Sequence, residues 1–137
     1  MIVSEMKRVA DSPGAVHNIL LSIRNKFNVE EQDKEHFYCL GLNRKNVCQF
    51  IDLVSIGTVS ETIVHPREIF RLAIIKSCST IIIAHNHPSG CTIPSIEDIH
   101  VTKRLKEGGE LLGITLTDHI IFSESQYYSF KEEEHIL

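Results

Sequence analysis

The chain has 137 residues, of which 42% are hydrophobic and 23% charged, and a formal net charge of −4. That length and balance fit one globular domain with a proper core and exclude a second ordinary domain, and no apolar run approaches the ~18 residues of a membrane span. The acidic balance is the opposite of the basic excess by which nucleic-acid binders neutralise phosphates, so strong autonomous DNA binding is disfavoured and any nucleic-acid partner is expected to be held weakly.

The opening Met1-Ile2-Val3-Ser4-Glu5 has no basic stretch leading into an apolar one, so no signal peptide is predicted and a cytoplasmic location is expected. Residues 1–11 read as a loosely ordered lead-in. Ser12-Pro13 reads as N-cap and first helical residue, and Val16, Ile19, Leu20, Ile23 and Phe27 follow at helical spacing, predicting an amphipathic helix over 13–27. Asn28 to Lys34 is polar and reads as a linker. His36–Leu42 and Val47–Val54 are apolar, β-rich runs separated by Asn43-Arg44-Lys45-Asn46, the pattern of a hairpin. A third strand is expected over Val59–Val64, then a helix opened by Pro66 with Ile69, Phe70, Ala73 and Ile74 on one side. Thr80-Ile81-Ile82-Ile83-Ala84 is continuously apolar, as in a strand buried on both faces. A helix over Ser95–Leu112, a strand over Thr115–Phe122, a short strand over Tyr127–Phe130 and an acidic, frayed tail complete the chain. This order predicts a single three-layer α/β/α domain built on a mixed sheet, with residues 1–29 as lead-in and helix and 30–137 as the functional domain. Cys39, Cys48 and Cys78 lie in or beside apolar runs and read as small buried residues. Cys91 reads as a loop residue, and no disulfide framework is indicated.

The chemistry concentrates where the buried strand ends. His85 and His87 are two residues apart, so their side chains share a face and converge just where the chain leaves the sheet. The carboxyl ends of strands in α/β sheets are where ligands sit. Pro88-Ser89-Gly90-Cys91-Thr92-Ile93-Pro94 then turns the chain back into a helix starting Ser95-Ile96-Glu97-Asp98, which lets Asp98 point across the loop at both histidines. Two histidines and one aspartate leave a fourth position for water, the arrangement of a catalytic zinc site, where a bound water is acidified to a pKa of ~7. Ser-x-x-Asp is equally a plain helix-capping signal, and on its own it favours that simpler function. What tips the balance is the whole string: the paired histidines, the Pro/Gly loop and the helix start.

That string, His85-x-His87 followed after seven residues by Ser95-x-x-Asp98, resembles the JAMM signature of MPN-plus metallopeptidases. Gly57-Thr58-Val59-Ser60, His65-Pro66-Arg67-Glu68, Ala84-His85-Asn86-His87-Pro88-Ser89-Gly90, Glu110-Leu111-Leu112-Gly113-Ile114 and Asp118-His119 are similar to the RadC-like branch of that superfamily, over about residues 30–130. The resemblance implies an MPN (JAB), cytidine-deaminase-like fold, one zinc per chain on His85, His87 and Asp98, and hydrolysis of a peptide or isopeptide bond in a protein or peptide substrate. It implies Glu35 as general base and Ser95 as the group that polarises the scissile carbonyl, with Glu68 and Glu61 as weaker candidates for the base. Full-length relatives carry an N-terminal helix-hairpin-helix region associated with DNA. Fewer than 35 residues precede the domain here, so that module is expected to be missing.

Other chemistries weigh less. A catalytically quiet interaction module in a DNA-processing system would not need the full ligand set that this chain retains. A non-haem iron oxygenase also uses two histidines and a carboxylate, but nothing here resembles an oxygenase barrel. A zinc deaminase needs a Pro-Cys-x-x-Cys half that is missing. His119, beside Asp118 in an apolar strand, reads as half of a structural pair. His65 is placed to line the cleft, and His17, His36, His100 and His135 show no convergent partners in sequence.

Overall fold

The computed structural model describes residues 1–57, 64–133 and 137. In chain order its elements are β1 (Ile2–Ser4), β2 (Arg8–Val9), α1 (Pro13–Arg24), α2 (Val29–Gln32), β3 (His36–Leu42), β4 (Val47–Ile56), α3 (Pro66–Ile75), β5 (Thr80–Asn86), α4 (Ile96–Leu112), β6 (Thr115–Phe122) and β7 (Tyr127–Ser129). Among the described residues the strands form one sheet in the order β1-β4-β3-β5-β6-β7, with β2 also paired to β4. Among the described strands only β5 and β6 run parallel, joined through α4, so the sheet is mixed.

Alternation along the central strands fills a core on each face of the sheet. Tyr38, Leu40 and Leu42 of β3 and Ile82 and Ala84 of β5 pack under Val16, Ile19, Leu20 and Ile23 of α1. Phe37 and Cys39, with Ile81 and Ile83, pack against Ile69, Phe70 and Ala73 of α3 and Val101 and Leu105 of α4. This is the three-layer α/β/α arrangement predicted from the element order. The β3–β4 hairpin turns on Asn43, whose Oδ1 accepts from the backbone N–H groups of Lys45 and Val47. Helix α4 ends on Gly113 in the left-handed region, φ 74°. Gly109 lets the chain fold back so closely that a Cβ there would lie 2.3 Å from the Ile114 carbonyl oxygen.

The structure departs from the sequence expectation at three places. Residues 1–11 are not a loose lead-in: β1 and β2 pair antiparallel with β4, Ile2 opposite Asp52 and Arg8 opposite Cys48. The outer edge of the ten-residue β4 offers backbone groups that these short segments satisfy. The polar stretch after α1 forms the short α2, because Asn28 caps it through Glu31 N–H and Glu30 and Glu31 occupy its positive end. The start of the acidic tail is tied down, with Lys131 N–H donating to buried Asp118 and Glu132 N–H to Ser129 Oγ. The expected third strand and Glu61 fall mainly within residues 58–63, and His135 within 134–136, outside the described residues. No helix among the described residues is long and apolar enough to cross a membrane.

One irregularity positions the site. β6 pairs Leu116 with Ile81 but Asp118 with Ile82, so Thr117 is an extra residue, a β-bulge that resets the alternation of everything after it. His119 thereby sits beside Ile83, on the face that α4 covers.

Candidate metal centre

His85 ends the α4-facing row of β5 that begins with Ile81 and Ile83, and His87 continues it one step past the strand. Asp98 lies in the first turn of α4. His85 and Asp98 are buried, while the His87 side chain keeps 16% of its surface. Their ligand atoms lie within 4.8 Å of one another, so the three could hold a metal ion. His85 Nε2 is 3.0 Å from Asp98 Oδ1 and 3.0 Å from His87 Nε2, and His87 Nε2 is 3.2 Å from Asp98 Oδ2.

The capping reading of Ser95-x-x-Asp98 holds, and the capped geometry leaves Asp98 placed where it could also hold a metal ion. Ser95 Oγ accepts from Asp98 N–H at 3.1 Å, and Asp98 Oδ2 accepts from Ser95 N–H at 2.8 Å, a complete capping box. The cap fixes the Asp98 carboxylate in the rotamer that faces the histidines. Burial opposes the charge on that carboxylate, but the bonds it accepts from His85 and His87 when those rings are protonated outweigh burial and hold it well below the usual carboxylate range.

The proton positions on the imidazoles follow from their outer partners. The Thr102 hydroxyl donates to the Asp98 carbonyl oxygen at 2.7 Å, so at its 2.5 Å contact with His119 the ring Nδ1–H must be the donor. Burial holds His119 well below the usual histidine range, as a neutral ring, so its Nε2 is an acceptor. His85 Nδ1 lies 2.9 Å from that atom and is the donor, which leaves His85 Nε2 with its lone pair toward Asp98 and His87. Likewise His87 Nδ1–H donates to the Cys91 carbonyl at 2.7 Å, aiming His87 Nε2 at the same point. Two nitrogen lone pairs and a carboxylate directed at one spot repel unless a cation lies among them, and this donor set fits zinc. A proton serves the same purpose in part: the bond with Asp98 lifts His87 above the usual histidine range, against the opposing effect of burial, and the nearby charge of Glu35 adds to the rise. The rings are braced by aromatics, Phe37 stacked on His85 at 5.8 Å and Phe130 on His119 at 4.7 Å.

The hydrogen bond that their neighbourhood suggested between His119 and Asp118 is present through the His119 backbone N–H, but the His119 ring is not part of it. Asp118 accepts from the His119 backbone N–H, Ser129 Oγ and Lys131 N–H, while the His119 ring supports His85. Ordinary alternation puts these two consecutive side chains on opposite faces, and the bulge at Thr117 decides that the His119 ring takes the face of His85.

The RadC-like JAB domain matches residues 11–135. The chain belongs to the RadC-like JAB family. It is 45% identical over 131 residues to a UPF0758 protein of Methanosarcina mazei, covering 96% of this chain and 55% of that protein. It is 52% identical over 100 residues to a UPF0758 protein of Listeria monocytogenes serotype 4b (73% and 45% covered) and 48% identical over 122 residues to one of Alkaliphilus metalliredigens (89% and 50% covered). The chain spans about half the length of these curated relatives.

In this RadC-like JAB domain the remaining candidates fall as follows. Glu35 is half-buried in the residue before β3, close enough for its charge to act on His87. Ser95 is exposed at the α4 N-cap. Glu68 lies exposed on the first turn of α3. His65 precedes Pro66 as the uncapped start of α3. The three cysteines expected inside are buried and Cys91 is exposed; it is the Cys91 carbonyl, not the thiol, that meets His87. A cleft of about 360 Å³ adjoins His87, bounded by Arg24, Asp33, Ser89, Glu124 and Gln126.

Proposed function

We propose that the domain is a zinc-dependent metallohydrolase of the JAMM type that cleaves a peptide or isopeptide bond, with one zinc per chain on His85, His87 and Asp98. The observation that carries this reading is the convergence of three buried or half-buried ligand atoms whose outer hydrogen bonds direct their lone pairs to one point. When bound, the ion supplies Lewis acidity to a water and to the scissile carbonyl. The chain's own groups supply the rest. Glu35 takes the proton of the attacking water and passes it to the leaving amine. Ser95 Oγ serves the cap as an acceptor, which leaves its O–H to donate to the carbonyl oxygen as negative charge develops there. The cleft beside His87 receives the substrate chain. The test is metal analysis of protein purified without chelator and then offered zinc, beside a cleavage profile on a peptide and isopeptide library. One zinc per chain and chelator-sensitive cleavage are expected; a protein that stays metal-free contradicts the proposal.

Two further outcomes follow. Zinc must displace the proton that Asp98 stabilises on His87, a group raised above its ordinary 6.5. Its apparent affinity is therefore expected to be highest above that raised value and to fall about tenfold per pH unit below it. Zinc titrations at pH 8 and pH 5.5 check this, and equal affinities would contradict it. His119→Ala removes the acceptor that fixes the His85 tautomer and is expected to weaken zinc binding by roughly 10–100-fold. Competition against a fluorescent chelator measures it, and His119→Gln, which keeps an acceptor, is expected to recover part of the loss.

A further inference from the structure

The residue between the two histidines faces away from them. Asn86 is the last residue of β5 and is buried. The β3–β5 ladder has its final pair at Phe37 opposite His85, leaving the chain before Phe37 without a backbone partner from β5. The Asn86 carboxamide extends the ladder by one step. Its Oδ1 accepts from His36 N–H at 2.7 Å, and its Nδ2 donates to the Lys34 carbonyl at 2.9 Å, across fifty residues of sequence. These two groups flank Glu35. The Glu35 carbonyl itself accepts from Gly57 N–H at 2.8 Å, at the end of β4. The backbone that launches the Glu35 side chain is thus held before, at and after the residue.

We propose that Asn86 is a positioning residue for Glu35, its carboxamide bracketing the Lys34–His36 segment so that the Glu35 carboxylate is held toward the metal centre. The assignment rests on the reading of Glu35 as general base. A carboxamide suits the task because it presents one acceptor and two donors in a rigid plane, matching one N–H and one C=O at once. Alternation turns position 86 away from the face that 85 and 87 present to the metal centre, and from there its carboxamide reaches the backbone on either side of Glu35. One strand end therefore sets both the ligands and the base, and their separation does not depend on a flexible loop. Displacing a reacting group by about 1 Å costs about 100-fold in rate, so loosening this bracket acts on turnover without touching a ligand.

The experiment compares Asn86→Ala, Asn86→Asp, Glu35→Gln and the Asn86→Ala/Glu35→Gln double variant. Amide exchange at Ile82 and Ile83 reports an intact sheet, and Asn86→Asp, of the same shape, stands in if the alanine variant does not fold. Asn86→Ala is expected to keep one zinc per chain, to exchange His36 N–H faster than wild type, and to lower kcat by about 10–100-fold with KM little changed. In the Glu35→Gln background the same substitution is expected to cost nothing further. A second readout needs no substrate. With cobalt in place of zinc and carboxyl-¹³C glutamate, the ion-induced shift of the Glu35 carboxyl resonance is expected to be large in wild type and to fall by about half or more in Asn86→Ala. Glu35→Gln turning over at the wild-type rate would remove the base, and this proposal with it. A slow Glu35→Gln combined with an Asn86→Ala loss of equal size in both backgrounds, or a cobalt shift unchanged by Asn86→Ala, would overturn the bracket alone.

Discussion

Asp98→Ala is expected to strip the domain of zinc and of hydrolytic activity in one step. The carboxylate is the only charged member of the ligand group, it is buried, and its two oxygens face His85 and His87 separately. Removing it leaves two imidazole nitrogens to hold the ion without a counter-charge. The same substitution also removes the reciprocal half of the capping box, the bond from Ser95 N–H, while the N–H of residue 98 still donates to Ser95 Oγ, so a somewhat lower melting temperature is expected as well. Asp98→Asn separates the effects. Its carbonyl oxygen can still accept from Ser95 N–H, so the cap survives, while the charge that holds the ion is gone. Metal analysis and thermal melts of both variants make the check: stoichiometric zinc in Asp98→Ala would take Asp98 out of the ligand set.

Glu35→Gln is expected to do the opposite, keeping the zinc and losing the reaction. Glu35 lies outside the converging group, and its influence on His87 is a through-space one. A neutral carboxamide therefore leaves the ligand atoms where they are, but it cannot accept a proton from water. The expected loss is roughly 10²–10⁴-fold in kcat, the usual contribution of a positioned acid–base group. Zinc content measured beside the rate on the best library substrate decides it. Zinc lost together with activity would make Glu35 a ligand, and an unchanged rate would turn attention to Glu68.

Much of this was legible because local pattern and tertiary context agree. The alternation of β3 and β5, Pro13 and Pro66 at helix starts and the Gly113 stop each follow from backbone and packing rules that act over a few residues. The convergence of His85, His87 and Asp98 was readable for the same reason, since a two-residue strand step and a capped first turn have fixed geometry. What stayed hidden is non-local. β1 and β2 are too short to show a period and exist only because β4 offers them an edge. His119 was assigned to Asp118 because the two are neighbours in an apolar strand; its contact with His85 depends on the bulge, and nothing in the sequence marks Thr117 as an inserted residue. Asn86 drew no reading of its own because its partners, Lys34 and His36, lie a strand away. The capping box concealed a different point: a familiar local signal and the proposed ligand signal are not alternatives, because one side chain can serve both.

The proposed ligands stand on the two sides of the loop from Pro88 to Pro94, His85 and His87 on the β5 side and Asp98 in the first turn of α4. An ion there would clasp sheet to helix, and the unfolded chain offers no equivalent grip. Ligand that binds only the folded form stabilises it by about 4 kcal/mol when its free concentration is a thousand times Kd. The lifetime of this domain in a cell is then expected to follow zinc supply. Under scarcity, more of it would open and fall to proteases, and its abundance would decline before any catalytic shortfall was felt.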